Sequence, residues 1–159
     1  VNWNDYFVSL LGPIAAKSKD TSRKVGCIIV GPDKEIRSTG FNGLPRGCND
    51  TLPERYARPE KYFWFEHAER NAIYNAARHG ASLEGCTAYV NMPPCMDCAR
   101  GIVQSGISMV VSPAPPPDDP KYAEDFERIK ELFEECDVSW HCVSNLDAPE
   151  QRSLRWVSL

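Results

Sequence analysis

Apolar residues recur along the chain in two rhythms, helical and extended, and together they predict an alternating α/β order. Trp3, Phe7, Leu10, Leu11 and Ile14 fall at helical spacing, which predicts an amphipathic helix packed on a core. Pro13 is expected to kink that helix or end it early. Residues 25–30 (VGCIIV) are continuously apolar, as in a strand buried on both faces. A Gly31-Pro32-Asp33 turn then returns residues 35–39 as a second strand. Residues 66–79 set Ala68, Ala72, Ile73 and Ala76 on one helical face and run into Gly80, a helix stop. Residues 87–91 read as a strand, Pro93 and Pro94 end it, and residues 95–104 open a helix directly after the prolines. Residues 107–111 form the next strand, so this strand, helix, strand unit should close as a right-handed parallel crossover. Phe126, Ile129, Leu132, Phe133 and Cys136 mark a further amphipathic helix, and residues 138–143 a last strand.

The connections between these elements carry their own information. Residues 40–48 (GFNGLPRGC) hold three glycines and a proline, which permit close backbone approach to a ligand and equally suit a tight connection. Asn42 in this loop could offer its amide to a sugar hydroxyl. Residues 50–62 are polar, contain Pro53 and Pro59, and read as an irregular surface excursion. Phe63, Trp64 and Phe65 follow, and rings of this kind are expected in the core rather than as a base-stacking platform. Residues 112–120 (SPAPPPDDP) read as a stiff connector, with a lid over a pocket as the functional alternative. Trp156 could anchor a tail or a subunit contact.

Composition narrows the class. A chain of 159 residues suits one domain, residues 1–159, and no repeat or linker divides it. With 42% hydrophobic and 25% charged residues it is neither disordered nor a disulfide miniprotein. A net charge of -4 argues against a general affinity for long nucleic acid. Seven cysteines, two of them in a C-x-x-C, do not make a secreted disulfide framework. No run reaches the length of a membrane span, and residues 1–11 lack a basic leader, so a cytoplasmic location with reduced thiols is expected.

The chemistry is concentrated in residues 67–98. His67, Cys95 and Cys98 supply the three protein ligands of a catalytic zinc, which leaves its fourth position for water. A C-x-x-C at a helix start can turn both sulfurs to one point, where the helix N-terminus favours thiolates. Glu69 follows His67 by two residues, close to the metal but on another side of the helix, and is read as a proton shuttle rather than a fourth ligand. Zinc would acidify its water, Glu69 would take the proton, and the resulting hydroxide would attack a ring carbon. Alone, a His-x-Glu is usually a surface helix turn and a C-x-x-C can be redox-active or structural. Their ordered combination, H-x-E and then P-C-x-x-C, is the pairing of zinc deaminases.

With these residues in place, the chain resembles the deoxycytidylate (dCMP) deaminase branch of the zinc-dependent cytidine deaminase superfamily. The branch is carried by SKDTSRKVGCIIV, GFNGLPRGC and HAERNAIYNA, in that order. The resemblance implies a three-layer α/β/α fold with a mixed five-stranded sheet, and assembly into homo-oligomers, commonly hexamers. It implies zinc on His67, Cys95 and Cys98, Glu69 as shuttle, and Asn42 on the sugar of the nucleotide. The implied reaction converts dCMP to dUMP and ammonia, with dCTP or a modified cytosine nucleotide as alternative substrates left open by the departures below. Arg23 and Lys24 are candidates for the 5'-phosphate, although a solvated charge pair is as good an account of them. Regulation by dCTP or dTTP, where the family has it, would border Phe41 and Gly43.

Two departures from better-known members bear on substrate choice. Arg70 follows Glu69 where Leu or Met is frequent, adding positive charge beside the pocket, and SPAPPPDDP replaces a segment that often bears tyrosine. Cys48, His141 and Cys142 are read as incidental rather than as a second metal site. Two other functions are compatible with the motif: an RNA (tRNA) adenosine or cytidine deaminase, which should have a basic groove, and a catalytically silent zinc-stabilised nucleotide-binding module. Intact Glu69 argues against the latter.

Overall fold

In the computed structural model, residues 1–116, 118–143 and 156–158 are described. The elements are α1 (Trp3–Ala15), β1 (Gly26–Val30), β2 (Ile36–Phe41), a 3-10 turn (Pro53–Tyr56), α2 (Lys61–Trp64), α3 (Ala68–His79), β3 (Thr87–Val90), α4 (Met96–Gln104), β4 (Met109–Pro113), α5 (Pro120–Glu135), β5 (Ser139–Val143) and β6 (Trp156–Ser158). The strands form one mixed sheet in the order β2-β1-β3-β4-β5-β6. β1 is antiparallel to β2 and β3, whereas β3, β4 and β5 run parallel. The five strands expected from the sequence are therefore present, and Trp156–Ser158 adds a short sixth, antiparallel to β5. The side chain of Trp156 lies outside the described residues.

Helices cover both faces of the sheet, which gives the three layers. All five residues of β1 are buried, as its unbroken apolar run requires. Ile28 and Val30 point to α1 and pack with Phe7, Leu11 and Tyr89. Cys27 and Ile29 point to the opposite layer, where Ala68, Ala72 and Ala76 of α3, Ile102 of α4, and Ile129 and Phe133 of α5 close the larger core. The small side chains of α3 let it sit close to the sheet. At Gly40 the approach is closest: a Cβ there would lie 2.4 Å from the Ala68 carbonyl oxygen and from the Ala72 amide. Glycine is required at that position by contact alone.

Three sequence expectations are corrected. α1 does not end at Pro13 but runs through it to Ala15. The preceding residue is Gly12, whose missing Cβ relieves the usual clash with a proline ring, and the Ala16 amide resumes bonding to the Gly12 carbonyl at 2.9 Å. β2 runs on to Phe41, and β4 extends through Pro113, taking two residues from the proline-rich connector. The aromatic cluster is not core: Phe63 is 80% exposed, since α2 is a single turn on the surface with little of its own to bury. Trp64 is instead covered by the Arg55 guanidinium, 3.7 Å from its ring centroid, and Phe65 meets Tyr56 edge-on.

Candidate functional site

His67 and Cys95 each occupy a helix N-cap, of α3 and α4 respectively, with extended backbone that aims the side chain off the helix end. Gly80 stops α3 in the left-handed conformation expected of it. Cys95 stands just past the carboxyl end of β3, and Cys98 lies within the first turn of α4. The Cys95 sulfur accepts the Cys98 backbone N–H at 3.5 Å, which folds the two sulfurs toward each other.

The three side chains converge. His67 Nδ1 lies 3.4 Å from Cys95 Sγ and 3.5 Å from Cys98 Sγ. Tetrahedral zinc, with Zn–N near 2.0 Å and Zn–S near 2.3 Å, holds nitrogen and sulfur about 3.5 Å apart. The donor set therefore fits zinc in both chemistry and spacing. Among the described residues, these three form the one group of His, Cys and carboxylate atoms close enough for a metal. The separate grouping of Cys48, His141 and Cys142 is not among them.

The electrostatics follow from burial and from the shared protons. Cys95 is pulled well below the ordinary thiol range, first by its hydrogen bond with Cys98 and also by His67. Cys98 is pushed up by the same contact with Cys95 and by burial, so one proton serves both sulfurs. His67 is raised chiefly by its bond to Cys95. Glu69, 4% exposed, is raised above the usual carboxylate range, first by burial. Its Oε2 lies 3.6 Å from Cys98 Sγ, beside the ligand cluster and separate from it.

His67, Glu69 and Cys95 open into a cavity of about 850 Å³, within the usual range for small-molecule sites, with Cys98 buried behind them. His67, Glu69, Cys95, Asn42, Arg23 and Arg70 all line it. Lys24, Phe41 and Gly43 are not part of its lining: Lys24 is exposed just outside, and Gly43 is paired with Glu66 through two backbone hydrogen bonds of 2.8 and 3.0 Å.

Asn42 is 7% exposed and already heavily used. Its Oδ1 accepts the Val25 N–H at 2.8 Å, and its Nδ2 donates at 3.0 Å to both Asp20 and the Arg23 carbonyl. Both amide donors are spent on the fold, and one lone pair of Oδ1 is left for a ligand. The positive charge of Arg70 is likewise met, by Glu66 at 2.5 Å and Asp97 at 3.6 Å.

Other lining residues escaped the sequence reading: Arg58 and Lys61 from the excursion after β2, and Phe126 and Trp140 from α5 and β5. Lys61 bonds Asp20 at 2.5 Å, and the Trp140 indole donates to Ser112 Oγ at 2.8 Å. A signal for the first pair was available. Arg55, Arg58 and Lys61 recur every third residue just upstream of His67.

Residues 1–113 match the family model described as the cytidine and deoxycytidylate deaminase zinc-binding region. The chain is 40% identical over 116 residues to deoxycytidylate deaminase of Mus musculus, covering 70% of this chain and 64% of that protein. It is 34% identical over 124 residues to deoxycytidylate deaminase of Mycobacterium phage D29, covering 70% of this chain and 94% of the phage protein. The chain thus spans 64% of the length of the mouse and human relatives it matches. The fold is shared with the dCMP deaminase of cyanophage S-TIM5 in complex with dCMP and dUMP, with a TM-score of 0.66 at 23% identity over 81% of this chain and 90% of that one.

Proposed function

The chain belongs to the family of cytidine and deoxycytidylate deaminases, and from that premise we propose that it deaminates a cytosine deoxynucleotide hydrolytically, dCMP to dUMP and ammonia. One observation carries the reading: a buried carboxylate, Glu69, beside a His/Cys/Cys cluster of zinc dimensions, both facing one nucleotide-sized cavity. The dCMP named with the cyanophage protein and the deoxycytidylate deaminase relatives support dCMP as substrate.

Zinc on His67, Cys95 and Cys98 would supply the Lewis acidity that activates water at neutral pH. The protein's own groups do the rest. Glu69 accepts a proton as water oxygen bonds to C4 of the cytosine ring and delivers it to ring nitrogen N3. It then carries the remaining hydroxyl proton to the amino group, the C4–N bond breaks, and ammonia leaves with C4 as a carbonyl. Burial keeps bulk water from competing for these protons. Asn42 uses its one remaining lone pair to accept a hydrogen bond from a sugar hydroxyl. A free mononucleotide suits the net charge of -4 better than a long RNA does.

The test is a panel of zinc-loaded protein against dCMP, dCTP, CMP and deoxycytidine, following ammonia and the uracil product. Turnover of dCMP with the highest kcat/KM is expected, and inactivity on every cytosine nucleotide with zinc bound would refute the reading. Adding dCTP or dTTP to the dCMP assay tests the regulatory role assigned to Phe41 and Gly43.

A further inference from the structure

Arg70 stands in the first turn of α3, one residue past Glu69, and its side chain crosses the seam between α3 and α4. Gly101 of α4 faces that seam bare: a Cβ there would lie 3.5 Å from Ile73 Cδ1 and 3.9 Å from Arg70 Cγ. The aliphatic stem of Arg70 therefore packs between the helices while its guanidinium stays at their starts. There it meets one carboxylate from each side. Nε bonds Glu66 Oε1 at 2.5 Å, and Nη1 lies 3.6 Å from Asp97 Oδ2. Both carboxylates are sequence neighbours of the candidate ligands, since Glu66 directly precedes His67 and Asp97 lies between Cys95 and Cys98.

Each carboxylate is itself held in place. Glu66 Oε1 accepts the His67 backbone N–H at 3.1 Å, and the Glu66 backbone is bridged to Gly43. Asp97 is also bonded by Arg100 of its own helix. Without a cation between them, Glu66 and Asp97 would bring like charge to one place from two helices. Arg70 turns that repulsion into a tie. The Glu66 arm is the stronger, with 25% of the side chain exposed against 62% for Asp97. Ion pairs this exposed add little to folding stability. They do bias where two helix starts stand relative to each other, and a metal's affinity is sensitive to the groups that orient its ligands.

We propose that Arg70 is a positioning residue for the metal centre: through Glu66 and Asp97 it holds the turn that carries His67 against the turn that carries Cys95 and Cys98. The proposal rests on the zinc reading of that cluster and adds the side chain that aligns its two halves. It also gives Arg70 a different part from the one its charge suggests in the sequence. The guanidinium is committed to two carboxylates, so although it lines the cavity it does not serve as a cation for the substrate. A leucine or methionine at this position would fill the space over Gly101 and tie nothing.

The experiment measures the zinc dissociation constant of wild-type, R70M, R70K, D97N and R70M/D97N proteins by competition with a chelator, and the Tm of each in metal-free form. R70M is expected to bind zinc roughly tenfold more weakly, with the metal-free Tm scarcely moved. R70K keeps the charge but lacks the planar fork, and should recover only part of the loss. D97N, an exposed change that leaves folding intact, should weaken zinc less than R70M does. The double variant should lose no more than R70M alone, since Asp97 then has no cation to meet. At saturating zinc, R70M should keep the wild-type KM for dCMP and show its loss in kcat. The proposal is overturned if R70M holds zinc as the wild type does, if the losses of R70M and D97N add, or if KM rises, which would make Arg70 a substrate contact. A wild-type chain that binds no zinc sinks the metal reading itself, whereas a zinc-binding wild type matched by R70M loses only the positioning role.

Discussion

Glu69, the proposed proton shuttle, lies out of reach of bulk solvent, 4% exposed and 3.6 Å from the Cys98 sulfur. Replacing it with glutamine keeps the shape and removes the proton acceptor. Glu69→Gln is therefore expected to retain one zinc per chain by atomic absorption while losing about 10²-fold or more in kcat. Unchanged turnover would refute the shuttle. Asp20 is the opposite kind of buried carboxylate. Burial alone would raise it, but the hydrogen bond from Lys61 and the N–H groups of Ser22 and Arg23 outweigh that and hold it below the ordinary range. A depressed folded value means that its contribution to stability is complete above the unfolded value, near 4, and is lost as pH falls through the lower folded one. Asp20→Asn should flatten the acid limb of a stability-against-pH curve. At neutral pH it leaves Lys61 without its counter-charge, for a loss of about 3 kcal/mol by urea denaturation.

At the level of elements, the tightest glycine contact with backbone makes the sharpest demand. Gly40→Ala drives a methyl into the Ala68 carbonyl and the Ala72 amide, so α3 must shift, and α3 carries His67 at its head. Backbone cannot yield as a side chain does, and a stability loss of about 2 kcal/mol or more is expected. Weakened zinc retention in a competition with a chromophoric chelator should accompany it. β1, α3, α4 and the His67, Cys95, Cys98 set are legible in the sequence because each is encoded locally, by period, by proline and glycine punctuation, and by ligand spacing. Residues 53–65 are not legible in this way, because no apolar period encodes their place in the fold and the one regularity they carry, Arg55, Arg58 and Lys61, says nothing of it. Their position is decided by distant partners, the Lys61 bond to Asp20 and the Gly43 pairing with Glu66. Phe63 shows the cost of reading such a stretch by composition, since a ring is core only if an element places it there. Asn42 was found by its loop, but the hydrogen bonds that spend its amide could be seen only in three dimensions.

Across the whole molecule, the three candidate zinc ligands belong to the starts of two helices, so a bound metal would couple them. Stripping the metal should release α3 from α4, and scanning calorimetry with and without a chelator is expected to show a drop in Tm that added zinc reverses. An unchanged Tm would mean that the helices are held by packing alone. No helix among the described residues is long and apolar enough to cross a membrane. The small bridge between Gly43 and Glu66 has a wider consequence. It clasps the loop after β2 to the residue just ahead of His67, so the chain between them leaves the metal centre and returns to it at one pinned point. That stretch is a cassette with a fixed socket. Apart from the Lys61 bond to Asp20, its length can change at small entropic cost while the clasp holds its two ends together, which leaves this excursion as the part of the cavity wall free to vary.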